Sequence, residues 1–590
     1  MSTLRMAGVE VTFGVWDYVV VAIVLLISAS IGVYYRFTGG KQKTVQEYLL
    51  ADKNMSIAPV AFSLMASFMS AITLLGVSSE NYTYGFQFII INISYGIFTP
   101  IAAYLYLPIF FKLQATSAYE YLEMRFGKIA RLSASLSYTL QMTLYMGIVV
   151  YAPALALEAL TGINQVLAIL SIGLVCTFYS TIGGMKAVLM TDVFQSLLMF
   201  IAVFSVIGSA LYETGSFSEI WRIAAEGNRT DLLNFNPDPT VRHSWLSLIL
   251  GGGITFLSLY AVNQIQVQRY LTIKDLKRAQ FALWWNWPIL TSLSLCTSFA
   301  GLSIYSKYYN CDPVSAQYIN SIDQLMPYYV VDTMGHIPGL SGLFVAGIFS
   351  AALSTVSAAL NSLAAVTMED YYKPLHRVIF KKSLSSNSAS VQTKIVALIY
   401  GVICIGVAFL AQFLGGILQA ALTIFGVVGG PLLGLFSLGM FTLVANEEGS
   451  VVGLFTGIGI ALWMAFGPKP TPATLFTTTE GCGSAALNRT VTVLAADSES
   501  NYLWIHRVSY LYNGVAGFLI TFILGYLLSW IIRKIKRTPV QNERYDPNLF
   551  VPPLANKLQK AKQSETRLED ISDLNRNGKS DQGKIETIFK

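Results

Sequence analysis

The chain has 590 residues, of which 54% are hydrophobic and only 12% are charged. Its mean hydropathy of +0.54 is far too apolar for a water-soluble protein of this length. The formal net charge of +6 arises mainly from short connections between apolar segments, which excludes a nucleic-acid-binding module. The composition therefore indicates a polytopic membrane protein that has the lipid bilayer as its partner and no nucleic-acid partner.

Each membrane-spanning helix needs roughly 20 apolar residues, and the sequence contains thirteen such segments. In chain order they are predicted at 15–35, 56–79, 86–110, 132–159, 165–182, 188–212, 244–268, 279–306, 338–368, 393–413, 417–443, 450–467 and 507–532. Residues 1–14 precede this transmembrane domain, which covers 15–532. The tail, residues 533–590, is polar throughout and is predicted to be disordered.

The positions of the basic residues predict the orientation, because Lys and Arg in short loops are retained on the cytosolic side. Four alternate connections are rich in them: Arg36, Lys41, Lys43, Lys53; Lys112, Arg125, Lys128, Arg131; Arg269, Lys274, Lys277, Arg278; and Lys373, Arg377, Lys381, Lys382. Thirteen spans then place the N-terminus outside the cell and the C-terminus in the cytosol of a plasma-membrane protein. The sequons at Asn228 and Asn488 both fall in connections assigned to the outside, where glycosylation is possible.

The five cysteines are too few for a disulfide framework. Cys311 and Cys482 lie in separate connections assigned to the outside, where oxidising conditions allow a bridge between them. The other three, Cys176, Cys296 and Cys404, lie within predicted spans. We therefore predict a disulfide between Cys311 and Cys482.

The second predicted span, 56–79, carries Ser63, Ser67 and Ser70 on one face, followed by Thr73, and it contains no charge. So many hydroxyls in one span are typical of a discontinuous helix, whose unwound carbonyls face a cavity and coordinate an ion. A continuous helix, in which the serines bond back to backbone carbonyls, would carry the same pattern. The sequence leaves both interpretations open.

The ninth predicted span carries a polar stripe on an otherwise apolar helix. Its members recur at intervals of four, three and four residues: Ser350, Ser354, Ser357 and Asn361. Ser354 and Thr355 present two hydroxyl oxygens at one level, and hard cations prefer oxygen ligands. Together with carbonyls of the second span, they would form a sodium cage without a carboxylate. Close helix packing through small residues is the alternative explanation.

Several stretches resemble one known family over residues 15–532. They are YSTIGGMKA at 179–187 with TDVFQ at 191–195, NQIQVQR at 263–269, and the ninth span through Asp370 and Tyr371. These motifs resemble the sodium/solute symporter family. The run QATSAYEYLEMRF at 114–126, preceded by YLYLP at 104–108, is similar to the branch containing the monocarboxylate, multivitamin and iodide cotransporters.

This resemblance implies an all-α polytopic membrane fold in which two five-helix units of opposite topology intertwine, as in LeuT. The first repeat would cover about 56–212 and the second about 244–443. One extra helix would precede this core and two would follow it. Substrate and ion would bind near the middle of the membrane, between the repeats.

The resemblance also assigns a sodium site to particular residues of this chain. The family's shared site corresponds here to the backbone carbonyls of Ala66, Met69 and Ala351 and to the hydroxyls of Ser354 and Thr355. Both side-chain ligands are present, so sodium is the expected coupling ion.

Further positions follow from the same resemblance. Asp192 and Gln195 correspond to the inner part of the family's sodium exit path, although Asp192 lies near the end of its span, where a structural hydrogen-bond acceptor fits as well. Thr73, Gln87 and Tyr260 correspond to the substrate cavity. Sugar-transporting relatives have His at the position of Thr73 and an acidic residue near Gln87, which argues against a sugar substrate.

We therefore expect a sodium-coupled symporter that moves small organic anions into the cell. Its substrates would be monocarboxylates such as lactate, pyruvate or nicotinate, or vitamins such as biotin and pantothenate. An inorganic-anion symporter of the iodide type, or an uncoupled sensor or channel on the same scaffold, are the alternatives. An enzyme is not expected, because the sequence has no nucleotide-binding Gly-rich loop and no metal-type cluster among its four His and five Cys. The oligomeric state stays open.

Overall fold

A computed structural model describes residues 13–37, 50–382, 384–413, 415–482, 502–537 and 545–576, and within these ranges the chain forms helices and loops without a β-strand. The α-helices of the first half are α1 (Val15–Phe37), α2 (Ile57–Ala66), α3 (Ser78–Tyr84), α4 (Ile91–Ile101), α5 (Leu107–Leu113), α6 (Glu120–Arg125), α7 (Lys128–Thr161), α8 (Gln165–Gly183), α9 (Met185–Thr214) and α10 (Phe217–Glu226).

The α-helices of the second half are α11 (Trp245–Tyr260), α12 (Gln264–Tyr270), α13 (Leu276–Tyr308), α14 (Leu325–Met334), α15 (Leu340–Val366), α16 (Lys373–Phe380), α17 (Ser386–Ala411), α18 (Ile417–Ile424), α19 (Gly430–Phe441), α20 (Glu447–Phe466), α21 (Trp504–Arg507), α22 (Tyr512–Lys536) and α23 (Pro552–Arg576). Several are joined end to end by π-helical turns, at Ala102–Tyr106, Thr367–Tyr372 and Phe425–Gly429.

The helix lengths agree with a membrane protein of many spans. Among the described residues, ten helices are long and apolar enough to cross a bilayer, or eleven if α11 and α12 count as one bent span. Two shorter apolar helices, Ile57–Ala66 and Gln165–Phe178, occupy the second and fifth predicted spans. The exact count of thirteen stays a prediction.

The second and seventh predicted spans are both broken. α2 ends at Ala66 and the chain is irregular over 67–70 before it becomes helical again, so the discontinuous interpretation of this span is confirmed. The hydroxyl of Ser70 accepts a hydrogen bond from the backbone N–H of Ile72 (3.1 Å), which serves one of the free amides where the helix resumes. α11 and α12 meet at a bend of 59°. Each of these broken spans is the first span of a predicted repeat, as expected for two repeats of related structure. The boundaries of the repeats stay a prediction.

Helix α15 lies at the centre of the bundle, where it packs against α1, α7, α8 and α9. Its small residues permit this. A Cβ atom on Gly347 would lie only 2.4 Å from the Cβ of Ala202 on α9, so the two backbones approach too closely for a larger residue. Close packing and the polar stripe therefore occur on the same helix.

A disulfide joins Cys311 to Cys482, with their Cα atoms 5.0 Å apart and 171 residues between them in sequence. It ties the loop after α13 to the loop after α20. Backbone hydrogen bonds flank it, from Asp312 N to Thr478 O and from Gly481 N to Asn310 O, each 2.9 Å long. The structure thus contains the bridge expected from the sequence, and both loops lie at the same end of the bundle.

The two sequons differ in what the structure describes. Asn228 is exposed in the loop after α10, whereas its neighbour Arg229 is fully buried. The guanidinium of Arg229 donates to the carbonyl of Tyr82 (2.8 Å) and stacks on the ring of Tyr305 at 3.7 Å. Asn488 lies outside the described residues. Glycosylation at both positions stays a prediction.

Part of the tail differs from the predicted disorder, since it forms α23 and the residues before α23 pack against the ends of other helices. The backbone N–H of Val551 donates to the carbonyl of Met440 at 3.2 Å. The guanidinium of Arg125 lies 5.2 Å from the ring of Tyr545 and 5.1 Å from the ring of Phe550. These two rings supply cation–π contact and apolar burial that the average polarity of the tail conceals.

Candidate functional site

Four of the five predicted sodium ligands lie together where α2 ends. The hydroxyl oxygen of Ser354 lies 3.1 Å from the carbonyl of Ala66. The hydroxyl oxygen of Thr355 lies 3.4 Å from the same carbonyl and 3.2 Å from that of Ala351. All four residues are fully buried. The cluster consists only of uncharged oxygens, the ligand type that a hard cation such as sodium accepts.

The carbonyl of Ala66 is available to the oxygen cluster because α2 ends at this residue. The last carbonyls of a helix have no intrahelical donor, and Ala66 is the last residue of α2. Met69, the fifth predicted ligand, lies in the irregular segment that follows, with its N–H bonded to the carbonyl of Met65 at 2.9 Å. Coordination by the Met69 carbonyl stays a prediction.

Asp192 of α9 lies directly beside this cluster. Its Oδ1 lies 2.7 Å from the hydroxyl of Ser354, and its Oδ2 accepts a hydrogen bond from the hydroxyl of Ser63. The guanidinium of Arg269 donates to Oδ2 at 3.3 Å and to the Ser63 hydroxyl at 2.7 Å. Asp192, Arg269, Ser63 and Ser354 are all fully buried. A buried ion pair therefore adjoins the oxygen cluster.

Arg269 is not the loop residue that its charge suggests. Sequence reasoning placed it among the basic residues of a cytosolic connection, but it lies on α12 with no exposed surface. The reason is Asp192, because a buried guanidinium needs a counter-charge and hydrogen-bond acceptors. Asp192 is likewise fully buried, and it accepts hydrogen bonds from the side chains on three other helices described above.

Gln195 lies one turn from Asp192 on α9 and is fully buried. Neither its Oε1 nor its Nε2 has a hydrogen-bond partner among the described residues. A buried amide without partners is costly, so this position suits contact with water or a passing ion. Its role in a sodium path stays a prediction.

A cavity of about 90 Å³ lies beside the irregular segment that follows α2. Its hydroxyl-bearing and aromatic lining residues are Phe68, Ser70, Thr73, Phe88, Tyr95, Tyr145, Thr255, Phe256, Tyr260, Ser294 and Phe425. None of the described lining residues carries a charge. The cavity is therefore apolar and aromatic, with hydroxyl groups as its main polar contacts.

Two of the three predicted substrate residues line this cavity, namely Thr73 and Tyr260. Gln87 does not, so the structure differs from that prediction. Its side chain is buried, and its amide nitrogen faces the carbonyls of Leu232 (2.9 Å) and Asp231 (3.3 Å) in the loop before α11. The family resemblance assigned Gln87 to the cavity, but in this structure the loop before α11 covers the side chain.

Sequence reasoning missed a second charged group, which lies at the disulfide-bearing end of the bundle. Arg242 donates to Glu80 at 2.7 Å and to the amide oxygen of Gln419 at 3.0 Å. Gln419 follows Leu418, a residue that lines the cavity. The group thus ties α3, the loop before α11 and α18 together. No sequence motif signals it, since its members come from three distant parts of the chain.

Comparison with known proteins agrees with this arrangement. Residues 48–457 match the Sodium:solute symporter family. A putative sodium-dependent multivitamin transporter of Drosophila melanogaster is 54% identical over 561 residues, which cover 93% of each chain. Sodium-coupled monocarboxylate transporter 1 of Homo sapiens is 44% identical over 551 residues, which cover 90% of this chain and 88% of that protein.

A solved structure extends the comparison to the fold. The substrate-bound, outward-open Na+-coupled sialic acid symporter is 26% identical, with a TM-score of 0.72, and the match covers 88% of this chain and 98% of that chain. The predicted all-α, LeuT-like inverted-repeat fold is confirmed, as are sodium as the coupling ion and a transporter rather than an enzyme. By its sequence match, its fold and its buried oxygen cluster, the chain belongs to the sodium:solute symporter family.

Proposed function

We propose that this protein carries small organic anions into the cell together with sodium. The substrates would be monocarboxylates such as lactate, pyruvate or nicotinate, or vitamins such as biotin and pantothenate. The names of the relatives, a multivitamin transporter and a monocarboxylate transporter, support this choice over an inorganic anion. The uncharged, partly aromatic cavity suits a small organic molecule.

One observation supports coupling between sodium binding and substrate binding. The irregular segment after α2 begins at the carbonyl of Ala66, which faces Ser354 and Thr355, and continues through Phe68 and Ser70, which line the cavity. Sodium bound at its start would hold the segment in one conformation and so complete the cavity wall. A substrate that prefers this conformation would bind more tightly when sodium is present.

The anionic nature of the substrate is supported by the ends of the broken helix. Where the helix resumes after Ser70, the positive end of its dipole favours a negative charge, while the backbone N–H groups of Ile72 and Thr73 are already bonded to Ser70. The hydroxyls of Ser70, Thr255 and Ser294 line the same space. A carboxylate could therefore be held without a basic side chain, as discontinuous helices hold substrates in other transporters.

The sodium exit path is proposed to run past Asp192 and Gln195. Asp192 contacts the hydroxyl of Ser354, and Gln195 lies one turn further with its amide unsatisfied. An ion leaving the Ser354 and Thr355 oxygens would meet these groups next.

Transport into vesicles tests the proposal. Uptake of lactate, nicotinate, biotin, pantothenate, glucose and iodide would be measured with an inward sodium gradient and with potassium in its place. We expect accumulation of one or more carboxylates above equilibrium only with sodium. Accumulation of iodide alone would favour the inorganic-anion alternative. Substrate binding without uphill uptake would favour an uncoupled sensor or channel.

We also infer that the protein lies in the plasma membrane, with the N-terminus outside and the C-terminus in the cytosol. The basic loops support this orientation, and the Cys311–Cys482 bridge suits an oxidising outer side. An epitope tag in the loop 213–243 should be labelled on intact cells. If the tag were labelled only after permeabilisation, the proposed orientation would be wrong.

A further inference from the structure

Helix α16 continues from α15, the helix that carries the candidate sodium ligands, but unlike α15 it is at least partly exposed along its whole length. It follows α15 through the π-helical turn Thr367–Tyr372, and the whole helix runs from Leu340 to Phe380 over 41 residues. No residue of α16 is buried. The helix therefore continues past the bundle and contacts little of the described protein.

The side chains of α16 divide into two faces. Leu375, Val378 and Ile379 are spaced i, i+3, i+4 and are 57%, 75% and 60% exposed. Lys373 and Arg377, spaced i, i+4, lie on the opposite face. Such a helix, apolar on one side and basic on the other, is typical of a membrane surface.

Nearby acids neutralise only one of the basic residues of this segment. Of the two acids just before α16, Glu369 pairs with Lys373, and Asp370 pairs with Arg131. Arg377 forms no ion pair among the described residues, and neither do Lys381 and Lys382, which directly follow the helix.

Exposed apolar side chains also lie close to both ends of the α16 segment. Ile129 and Leu132, next to Arg131 of the ion pair, are 62% and 52% exposed, as expected of side chains that meet acyl chains. Beyond α16, Val391 on α17 is already 59% exposed. This pattern is expected if α16 lies at the membrane surface, between two segments that face acyl chains.

We propose that α16, with Lys381 and Lys382, binds the anionic phospholipid headgroups of the cytosolic leaflet. Its apolar face would contact the upper acyl chains and its basic residues the headgroups. A lipid is favoured over an acidic protein because the helix combines unpaired basic residues with an exposed apolar face, which a bilayer can accommodate. The inference rests on the proposed cytosolic orientation of this end.

This attachment has a consequence for the sodium site, because α16 and the ligands Ser354 and Thr355 belong to one continuous helix. Holding its cytosolic end at the membrane surface would limit how far the helix moves when it releases sodium. Anionic lipid would then act on transport through the position of α15.

Hydrogen–deuterium exchange of the full chain in lipid nanodiscs tests the proposal without relying on transport. Exchange of residues 373–382 would be compared in phosphatidylcholine alone and in phosphatidylcholine mixed with phosphatidylserine. Each basic residue near an anionic leaflet strengthens attachment about fivefold. With three unpaired basic residues, we expect exchange to slow by about tenfold or more in the anionic discs. High salt should remove this slowing.

The triple variant Arg377→Gln/Lys381→Gln/Lys382→Gln should lose the lipid dependence. A matched variant, Lys534→Gln/Lys536→Gln/Arg537→Gln, removes three charges from the end of α22 and should retain it at 373–382. Equal exchange in both discs would overturn the proposal, and so would slowing that ignores salt and charge removal. Slowing that appears only when cytosolic extract is added would indicate a protein partner instead. If the protein shows no sodium-coupled transport but the lipid dependence of exchange is observed, the proposed function would be wrong and the lipid-binding proposal would stand.

Discussion

Arg269 and Asp192 form an ion pair inside the membrane domain, with 3.3 Å between nitrogen and oxygen and neither side chain exposed. Arg269 belongs to α12 and Asp192 to α9, so the pair joins the two predicted repeats. Ser63 of α2 contacts both partners, and Ser354 of α15 contacts the carboxylate. Four helices therefore meet at one charged group, which adjoins the candidate sodium ligands.

Removing one charge of this pair should be worse than removing both. Asp192→Asn would leave the Arg269 guanidinium buried without a counter-charge, which costs about 3–5 kcal/mol. The variant should show lower surface expression and a lower unfolding temperature in detergent. Asp192→Asn/Arg269→Gln removes both charges and should recover part of the stability. If the double variant lost as much as the sum of the two single variants, the pair would not be coupled.

The sequence predicted the parts of the site that follow from local pattern. The hydroxyls of the second span were compatible with the break after α2 as well as with a continuous helix. Adjacent Ser354 and Thr355 indicated an oxygen cluster, because such a pattern is a property of one segment. The Asp192 and Arg269 pair was missed, since its partners are 77 residues apart in sequence and only the fold brings them together.

The other misses have the same origin. The family resemblance alone placed Gln87 in the cavity, but the loop around Leu232 covers it. The tail is polar on average, and the two rings that attach it, Tyr545 and Phe550, meet their partner Arg125 only in the folded protein. Averages over a segment cannot report contacts between distant segments.

The disulfide predicts a simple pattern of thiol labelling. In unreduced surface protein, Cys311 and Cys482 should both be protected from an impermeant maleimide, and reduction should expose two external thiols. Cys311→Ser should expose Cys482 without reduction, and Cys482→Ser should expose Cys311. A native disulfide typically contributes about 2–5 kcal/mol, so both variants should unfold at lower temperature. Labelling of both cysteines before reduction would contradict the bridge.

Asp323 should make stability depend on pH. Burial raises the pKa of its carboxyl from 3.8 to about 6, and the nearby Glu80 carboxylate adds to this, whereas hydrogen bonds from Ile417 N–H and Ser321 oppose it. Because the folded-state pKa is raised, the contribution to stability is fully present below about pH 4 and is lost as the pH rises through 6. A rise of roughly two units corresponds to about 3 kcal/mol. Of the other titratable groups, Tyr151 also interacts with Asp323.

Asp323→Asn keeps an oxygen for the Ile417 N–H, which lies 3.1 Å from the carboxylate, and removes the charge. We expect the variant to be more stable than the wild type at pH 7.5 and equally stable near pH 4. Thermal unfolding across this range measures the difference. Asp231→Asn, which changes an exposed acid, serves as the control and should follow the wild-type profile. A parallel profile for Asp323→Asn would show that Asp323 does not titrate in this range.

Substitutions at Thr355 distinguish sodium coordination from close helix packing, because the two explanations rank the same variants in opposite order. Thr355→Ala removes one oxygen of the cluster around Ala66. A loss comparable to a charge-assisted hydrogen bond, roughly 1.5–3 kcal/mol, weakens sodium binding by about one to two powers of ten. The sodium concentration for half-maximal uptake should rise accordingly, with surface expression unchanged. Thr355→Ser keeps the oxygen and should be mild.

The packing explanation predicts the reverse, since Ala fits a close helix contact at least as well as Thr. Thr297→Ala is the matched control, because this buried threonine donates only to the carbonyl of Leu293 on its own helix, at 2.8 Å. It should leave sodium dependence unchanged. Ser354→Ala is less clean, since Ser354 also contacts Asp192. If Thr355→Ala and Thr297→Ala behaved alike, with unaltered sodium dependence, Thr355 would be a packing residue and the coupling ion would bind elsewhere.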